Sequence, residues 1–369
     1  MHNASGLFLI GNGGNAMNIG FIGLGSVVET AYLPALSRLN LSIGSIVGFD
    51  CNPVRSLAGV TRCDSMDALL DKPLDMVLIT TSSVSHLDVL ERALASGMDR
   101  IVVEKPVCAD LDQIARLKAL LANQDHAARV LALDHWTARS TALRQGSVDA
   151  SFRPAAGQDE TLPFRLEDIV RIEGVLQEPS GFNQRGEPIA LNFATGEPDT
   201  RQLRHPDGVI VDIGTHVLAL LHETLVGLGG GGAIELHLDD AKDRLGRPIA
   251  PGDIETAEGE ARLHGQLGAV PLSLVLNKYA GPAGGQKGMR LYLRDGRVIS
   301  QDRRGNTEAI EVRDGERILS WSLPGPVYEH CLRGLLGEDG WRNVAELTSR
   351  RVAEVEALLR IHQDLRAAR

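Results

Sequence analysis

Three side chains in this 369-residue chain have the type and placement for proton chemistry at a carbinol. Lys105 follows the apolar run Ile101-Val102-Val103-Glu104 and precedes Pro106. The run reads as a strand, which puts Lys105 at the carboxyl edge of a sheet, where open α/β folds bind ligands. An ammonium there can hydrogen-bond a substrate hydroxyl and stabilise the alkoxide that forms as hydride leaves. Proline after it fixes the turn and is a candidate cis bond. Asp212 and His216 are four residues apart at the start of an expected helix, so both face the same way. Imidazole works as a base near neutral pH and can accept the carbinol proton, with the aspartate orienting the ring. The lysine can also be the base. The plainer alternatives are a surface lysine ending a strand and a capping aspartate beside a structural histidine.

A second group of residues could hold a dinucleotide. Ile19-Gly20-Phe21-Ile22-Gly23-Leu24-Gly25-Ser26-Val27-Val28 joins a strand to a helix. Gly23 permits the tight turn and Gly25 lets the backbone approach a pyrophosphate. Ser26 and Val27 then open a helix whose N-terminus carries free N–H groups. Val28 occupies the third glycine position and departs from the pattern. Asp50 ends the next strand, where a carboxylate accepts hydrogen bonds from adenosine ribose hydroxyls and repels a 2′-phosphate. This favours NAD over NADP, although Arg55 lies close enough to hold a 2′-phosphate if it is not simply solvated.

The elements that must position these residues fall into two halves. Strands are expected at 19–22, 43–49, 76–80, 100–104 and 130–133, with helices at 27–39, 67–70, 84–96 and 111–123 between them. Unbroken apolar strands alternating with helices indicate a doubly wound parallel sheet. Beyond it, Val270, Leu272, Leu274 and Leu276 alternate with more polar positions, and turns follow at Asp295-Gly296, Arg304-Gly305-Asn306 and Asp314-Gly315. That reads as a mostly antiparallel open sheet with one face covered, interrupted by a helix at 211–226 and closed by one at 343–367. Gly229 to Gly232 reads as a connector. The expected domains are a leader over 1–16, a dinucleotide domain over 17–136 and a substrate-binding and oligomerisation domain over 137–369.

Composition narrows the class. A net charge of -10 disfavours nucleic-acid binding, and 43% hydrophobic residues with mean hydropathy -0.06 describe a globular chain. Four cysteines without Cys-x-x-Cys spacing suit a reducing cytoplasm and no disulfide scaffold. No secretory signal or membrane span is read, and no metal-ligand spacing is found.

Taken together, Gly23-Leu24-Gly25, Glu104-Lys105-Pro106 and Asp212-Ile213-Gly214-Thr215-His216 resemble the glucose-fructose oxidoreductase, inositol dehydrogenase and MocA family in order and spacing. Thr81-Ser82-Ser83-Val84-Ser85-His86 resembles that family's Thr-Pro-Asn-x-x-His in part. The resemblance implies a Rossmann domain followed by an open sheet, often the oligomer interface, and so a homodimer or homotetramer. It also implies NAD or NADP, with a sugar, cyclitol or related carbinol as substrate. Carried over by position, Lys105, Asp212 and His216 are catalytic, and Thr81, Ser82, His86 and Glu104 lie on the cofactor side.

Segments of the second half are similar to glucose-6-phosphate dehydrogenase. They are Asp134-His135-Trp136-Thr137-Ala138-Arg139, Glu178-Pro179-Ser180-Gly181, Arg185-Gly186 and Val270-Pro271 with Lys278. This second resemblance implies that Asp134 orients His216 and that His135, Arg139 and Lys278 hold an anionic group. Trp136 and Arg185 then belong to the substrate side. A buried histidine, a solvated arginine and a core tryptophan remain the plainer readings. Arg201, Arg204 and His205 either line the cleft mouth or sit on a charged loop. The expected activity is NAD-dependent hydride transfer on a sugar, sugar phosphate or aminocyclitol. Transient use of bound NAD for elimination or glycoside cleavage, and a non-catalytic sugar sensor, stay as alternatives.

Overall fold

The structure, a computed structural model, describes residues 16–39, 41–143, 164–191, 196–199 and 208–367. The leader up to residue 15 and Arg201, Arg204 and His205 lie outside the described residues.

The first half forms six parallel strands: β1 (Met17–Ile22), β2 (Ile43–Phe49), β3 (Thr61–Arg62), β4 (Met76–Ile79), β5 (Ile101–Val103) and β6 (Val130–Ala132), in the order β3-β2-β1-β4-β5-β6. All four residues of β4 and all three of β5 are buried, which is why their sequences are continuously apolar. Helices α1 (Leu33–Arg38), α2 (Met66–Leu70), α3 (Ser83–Ala95), α4 (Leu111–Leu121) and α5 (Gln124–Ala127) connect the strands. Ser65 and Asp110 accept a first-turn N–H of α2 and α4 and so fix where those helices start. The helix expected from Val27 does start there, then widens into a π segment over Val28–Tyr32, ahead of Leu33 and of Pro34, which has no N–H for the ladder.

The second half builds on β7 (Ile169–Gln177) and a small hairpin, β8 (Ser180–Phe182) with β9 (Pro188–Ala190). The large sheet adds β10 (Ile234–Lys242), β11 (Glu260–Leu267), β12 (Val270–Asn277), β13 (Lys287–Leu293), β14 (Val298–Arg304), β15 (Thr307–Asp314) and β16 (Arg317–Pro324). Its order is β10-β11-β12-β7-β13-β14-β15-β16, antiparallel except for the β12–β7 pair. Val270, Leu272, Leu274 and Leu276 all point to the covered face.

That face is covered by α6 (Val209–Asp212) and α7 (Gly214–Gly227), one expected helix broken at Ile213. Helix α7 lies so close to β7 that a Cβ on Gly174 would stand 2.2 Å from Val217 Cγ1. Among the described residues only the stretch Val209–Gly227 is long and apolar enough to cross a membrane, and 83% of it is buried in this core.

The chain ends by returning to the first half. Helix α8 (Val327–Leu336) puts Cys331, Leu332 and Leu335 into the core formed by Phe21, Val28 and Tyr32. Helix α9 (Val344–Arg366) lies beside β6, where the Thr348 hydroxyl accepts from Ala132 N at 3.0 Å and donates to Val130 O at 2.7 Å.

Candidate active site

The loops after β5 and β6 meet α6 and the start of α7 through Lys105–Asp212 and Asp134–His216, and the loops after β1, β2 and β4 share the same edge of the parallel sheet. At the β1 loop Gly23 has φ +97°, and a Cβ there would stand 2.7 Å from the Thr80 carbonyl carbon and Thr81 N, so only glycine fits. A Cβ at Gly25 would meet nothing within 4 Å, which leaves open space beside the backbone at the turn into the helix. Val28, at the third glycine position, is fully buried in the core with Phe21 and Tyr32. Asp50 accepts from Leu24 N at 2.7 Å and from Asn52 N at 2.8 Å, which fixes the carboxylate beside the loop with lone pairs to spare. Arg55 is not a solvated helix residue: it donates to Leu24 O and pairs with Glu29, both at 2.6 Å. The open cradle at Gly25 and the anchored Asp50 fit a nicotinamide dinucleotide, with Thr81 and Ser82 on the loop after β4.

His86 has another task than the sequence suggested. It is buried, with Nδ1 2.9 Å from Pro106 O and Nε2 3.0 Å from Thr81 O. Both ring nitrogens face these carbonyls, so the ring joins the β4 and β5 loops and offers no free atom to a cofactor, while burial lowers its pKa.

The Lys105–Pro106 bond is cis, as its position suggested. Lys105 Nζ donates to Asp212 Oδ1 at 2.8 Å and to the Asp212 carbonyl at 2.9 Å. Lys278 Nζ donates to the other oxygen, Oδ2. Burial alone would raise the Asp212 pKa, but Lys105 and Lys278 hold it far below the usual carboxylate range. Burial opposes the charge on Lys105, yet Asp212 keeps its pKa raised. Glu104 lies beneath, with Oε2 accepting from Lys105 N at 2.9 Å and Oε1 accepting from the Tyr32 hydroxyl. Burial raises the Glu104 pKa.

His216 does not pair with Asp212. Its Nδ1 lies 2.8 and 2.9 Å from the two oxygens of Asp134, at the end of β6, and Asp134 Oδ1 also accepts from Trp136 N at 2.9 Å. Against burial, His216 holds the Asp134 pKa far below its ordinary value. Trp136 stacks on the His216 ring, with centroids 5.4 Å apart and an angle of 16°. His135 lies edge-on to His216 at 4.6 Å and stacks on Tyr328 at 4.3 Å. Nδ1 of His135 is buried with no hydrogen-bond partner, and burial and then His216 push its pKa well down.

Asp134, His135 and His216 thus bring ligand-type atoms within 4.8 Å of one another, a grouping the sequence spacing did not reveal. The Asp134 oxygens already serve His216 and Trp136 N, so the trio is a hydrogen-bonded and packed cluster without a free carboxylate edge. His135 and Trp136 pack against the His216 ring, and Asp134 is its hydrogen-bond partner.

Arg139 is a correction. It is 2% exposed, paired with Glu308 at 2.9 and 3.0 Å, bonded to Lys287 O at 2.6 Å and laid over the Trp136 ring at 4.0 Å. Its guanidinium is buried and engaged inside the fold by Glu308, a carboxylate that also pairs with Arg303, and is not the solvated or cleft-facing residue the sequence offered. Arg185 is exposed at the turn between β8 and β9, its N–H donating to Asn183 Oδ1, and no contact joins it to Asp212 or His216. Tyr328 was missed, since no motif marks an aromatic residue on α8. Lys278 was singled out through its resemblance alone, and its contact with Asp212 was not foreseen.

Residues 17–131 match the family model described as an oxidoreductase family with an NAD-binding Rossmann fold, the Gfo/Idh/MocA group. The match spans the parallel sheet of the first half. Similar folds are found in a 3-ketoreductase from Actinomadura kijaniata solved with NADP and TDP-benzene (TM-score 0.61, 16% identity, covering 93% of this chain and 96% of that one). A UDP-N-acetylglucosamine 3-dehydrogenase from Acidithiobacillus ferrooxidans gives a TM-score of 0.60 and 19% identity, covering 96% and 98%. An oxidoreductase from Bacillus cereus gives 0.59 and 16%, covering 96% and 97%. No curated protein matches the sequence at a significant level.

Proposed function

We propose that the protein is a nicotinamide-dependent oxidoreductase that moves a hydride between the cofactor and a hydroxyl or keto carbon of a sugar, in a cytoplasmic setting. The observation that carries this is the meeting of two charged sets from both halves of the chain. Lys105 on Asp212 is a donor that can stabilise an alkoxide, and His216 on Asp134 is an oriented base. When bound, the nicotinamide supplies the hydride chemistry. Gly23, Gly25, Ser26, Val27 and Asp50 would hold the dinucleotide, and Asp50 favours NAD. His216 holds the carbinol proton at Nε2, because Nδ1 is directed at Asp134. Lys105 holds the carbinol oxygen, and Trp136 and His135 keep the base in line. We assign a dinucleotide domain to 17–136 and a substrate domain to 137–369, the latter sending α8 and α9 back onto the first half.

The two named sugar enzymes of similar fold act on, or are solved with, nucleotide-linked compounds, so nucleotide sugars join sugar phosphates and aminocyclitols as candidates. The open face of the large sheet, where Arg171 lies over Tyr292 and Arg290 pairs with Glu173, is the surface we assign to a homodimer or homotetramer. The reading is tested by following reduced nicotinamide absorbance with NAD and with NADP across these substrate classes, in both directions. Turnover of one class supports it. If no class is oxidised or reduced with either cofactor, the reading fails.

A further inference from the structure

The mechanism above makes no use of Lys278, yet this residue is built into the centre of the cleft. It follows β12 in the second half of the chain, and Lys105 follows β5 in the first. Their ammonium groups share one carboxylate, Lys105 on Oδ1 and Lys278 on Oδ2 of Asp212. The side chains of Lys105, Lys278 and Asp212 are 21%, 16% and 35% exposed, so the trio faces the cleft without being dissolved in it. Two ammonium groups on one carboxylate leave a surplus of one positive charge.

The neighbours do not remove that surplus from the reacting edge. Glu178 acts on Lys278 from one side, and Asp134 and Glu104 act on Lys105 from the other. Asp134 is engaged by His216, and Glu104 by Tyr32 and Lys105 N. His86 and His135 also lie within the field of Lys105, and burial lowers the pKa of both.

We propose that Lys278 is a positioning residue for Lys105: it anchors Asp212 from the second domain, so that the carboxylate presents Oδ1 and aims the Lys105 ammonium at the carbinol. This replaces the expectation that Lys278 holds an anionic group of the substrate. The carboxylate has two oxygens and the lysines take one each, so neither domain alone fixes the rotation of Asp212. The arrangement rests on the reading that Lys105 acts at the carbinol.

The first test needs no substrate. Lys278→Gln removes a positive charge beside Lys105 and leaves Asp212 to Lys105 alone. Both changes favour the charged form of Lys105, so its titration moves to higher pH. Acetylation of Lys105 by acetic anhydride, followed over a pH series by peptide mass spectrometry, should show a midpoint raised by about one pH unit in Lys278→Gln. In Lys278→Arg, which keeps charge and contact, the midpoint should stay near wild type. Lys278→Met, which keeps the apolar stem, serves in place of Gln if that variant does not fold. An unchanged Lys105 midpoint in the neutral variant overturns the proposal.

The second test uses turnover. Lys278→Gln should lower kcat about 10- to 100-fold, the scale of a small misplacement of a reacting group. KM should stay within about threefold of wild type, because the interaction is made with Asp212 and not with substrate. Lys278→Arg should recover most of the rate. A raised KM with kcat unchanged would instead make Lys278 a substrate anion holder and overturn the positioning role. If wild type turns over no sugar, the functional reading has failed, while the acetylation midpoint still decides the fate of Lys278.

Discussion

Asp212 and Asp134 are the same side chain, placed in the same cleft by different halves of the chain, and both are held ionised. Their company differs. Asp212 carries two ammonium groups, is about a third exposed and serves as a counter-ion at the cleft surface. Asp134 is nearly sealed, carries one imidazole and a backbone N–H, and sits among Trp136, His135 and Tyr328. A carboxylate facing cations fixes charge; one facing a ring nitrogen fixes a tautomer, since Nδ1–H donates to Asp134 and leaves Nε2 as the base. Under the proposed mechanism the cleft separates charge stabilisation from proton transfer, one carboxylate for each.

The sharpest way to break this comparison is at the base. His216→Ala should lower oxidation by about 10²–10⁴-fold, the range for loss of a general base, and Asp134→Asn should give a large part of that loss. Asp212→Asn should leave that loss unmatched and act through the lysines. If Asp134→Asn is near wild type in kcat, the tautomer argument fails. Next in size, Lys105→Ala should cut turnover by about 10²-fold or more, as for a lost transition-state donor, while dinucleotide affinity by titration changes little. Collapse of dinucleotide binding along with turnover would make Lys105 a cofactor ligand first.

A smaller effect belongs to the far end of the cleft. Asp50→Ser should narrow the preference for NAD over NADP in steady-state kinetics, by removing repulsion of a 2′-phosphate. A wild-type enzyme that prefers NADP would reverse the role given to Asp50 and turn attention to Arg55, which already lies at the loop.

The smallest effect is on stability. His135 has its pKa pushed below the ordinary value of 6.5, so the unfolded chain takes up a proton that the folded chain refuses. Its contribution is thus lost as pH falls below about 6.5, at no more than about 1.4 kcal/mol per pH unit. His135→Phe keeps the stack and removes the proton site. Denaturant unfolding between pH 7 and 5 should show a shallower acid-side loss in the variant; identical slopes would show that the histidine is not buried neutral.

Much of the first domain could be read from sequence, because its central parallel strands are short apolar runs and four of them end beside a chemically marked residue, Gly23, Asp50, Lys105 or Asp134, whereas the two-residue edge strand Thr61–Arg62 carries no such signal. The second sheet was legible as alternation and turns. What did not show was which carboxylate met which base. Asp212 and His216 are four apart on paper, but the helix breaks at Ile213, and Asp212 turns toward the lysines while His216 reaches Asp134, 82 positions earlier in the chain. Arg139 misled for a related reason. Its type suggested an anion, and only β15 placing Glu308 against it shows that the anion is internal. Tyr328 carries no local signal, since its partner His135 lies far away in sequence.

Thr348 adds a consequence of a different kind. Strand β6 is the last in the parallel sheet, and its outer row of backbone groups would otherwise be open to pairing with another chain. One hydroxyl on α9 takes Ala132 N and gives to Val130 O, imitating with a side chain what a seventh strand would do. The closing helix thereby acts as a guard against strand addition, and a dinucleotide domain cut free of its C-terminal helix would expose this edge. Such a fragment should be prone to self-association through β6, whatever becomes of its ability to bind a cofactor.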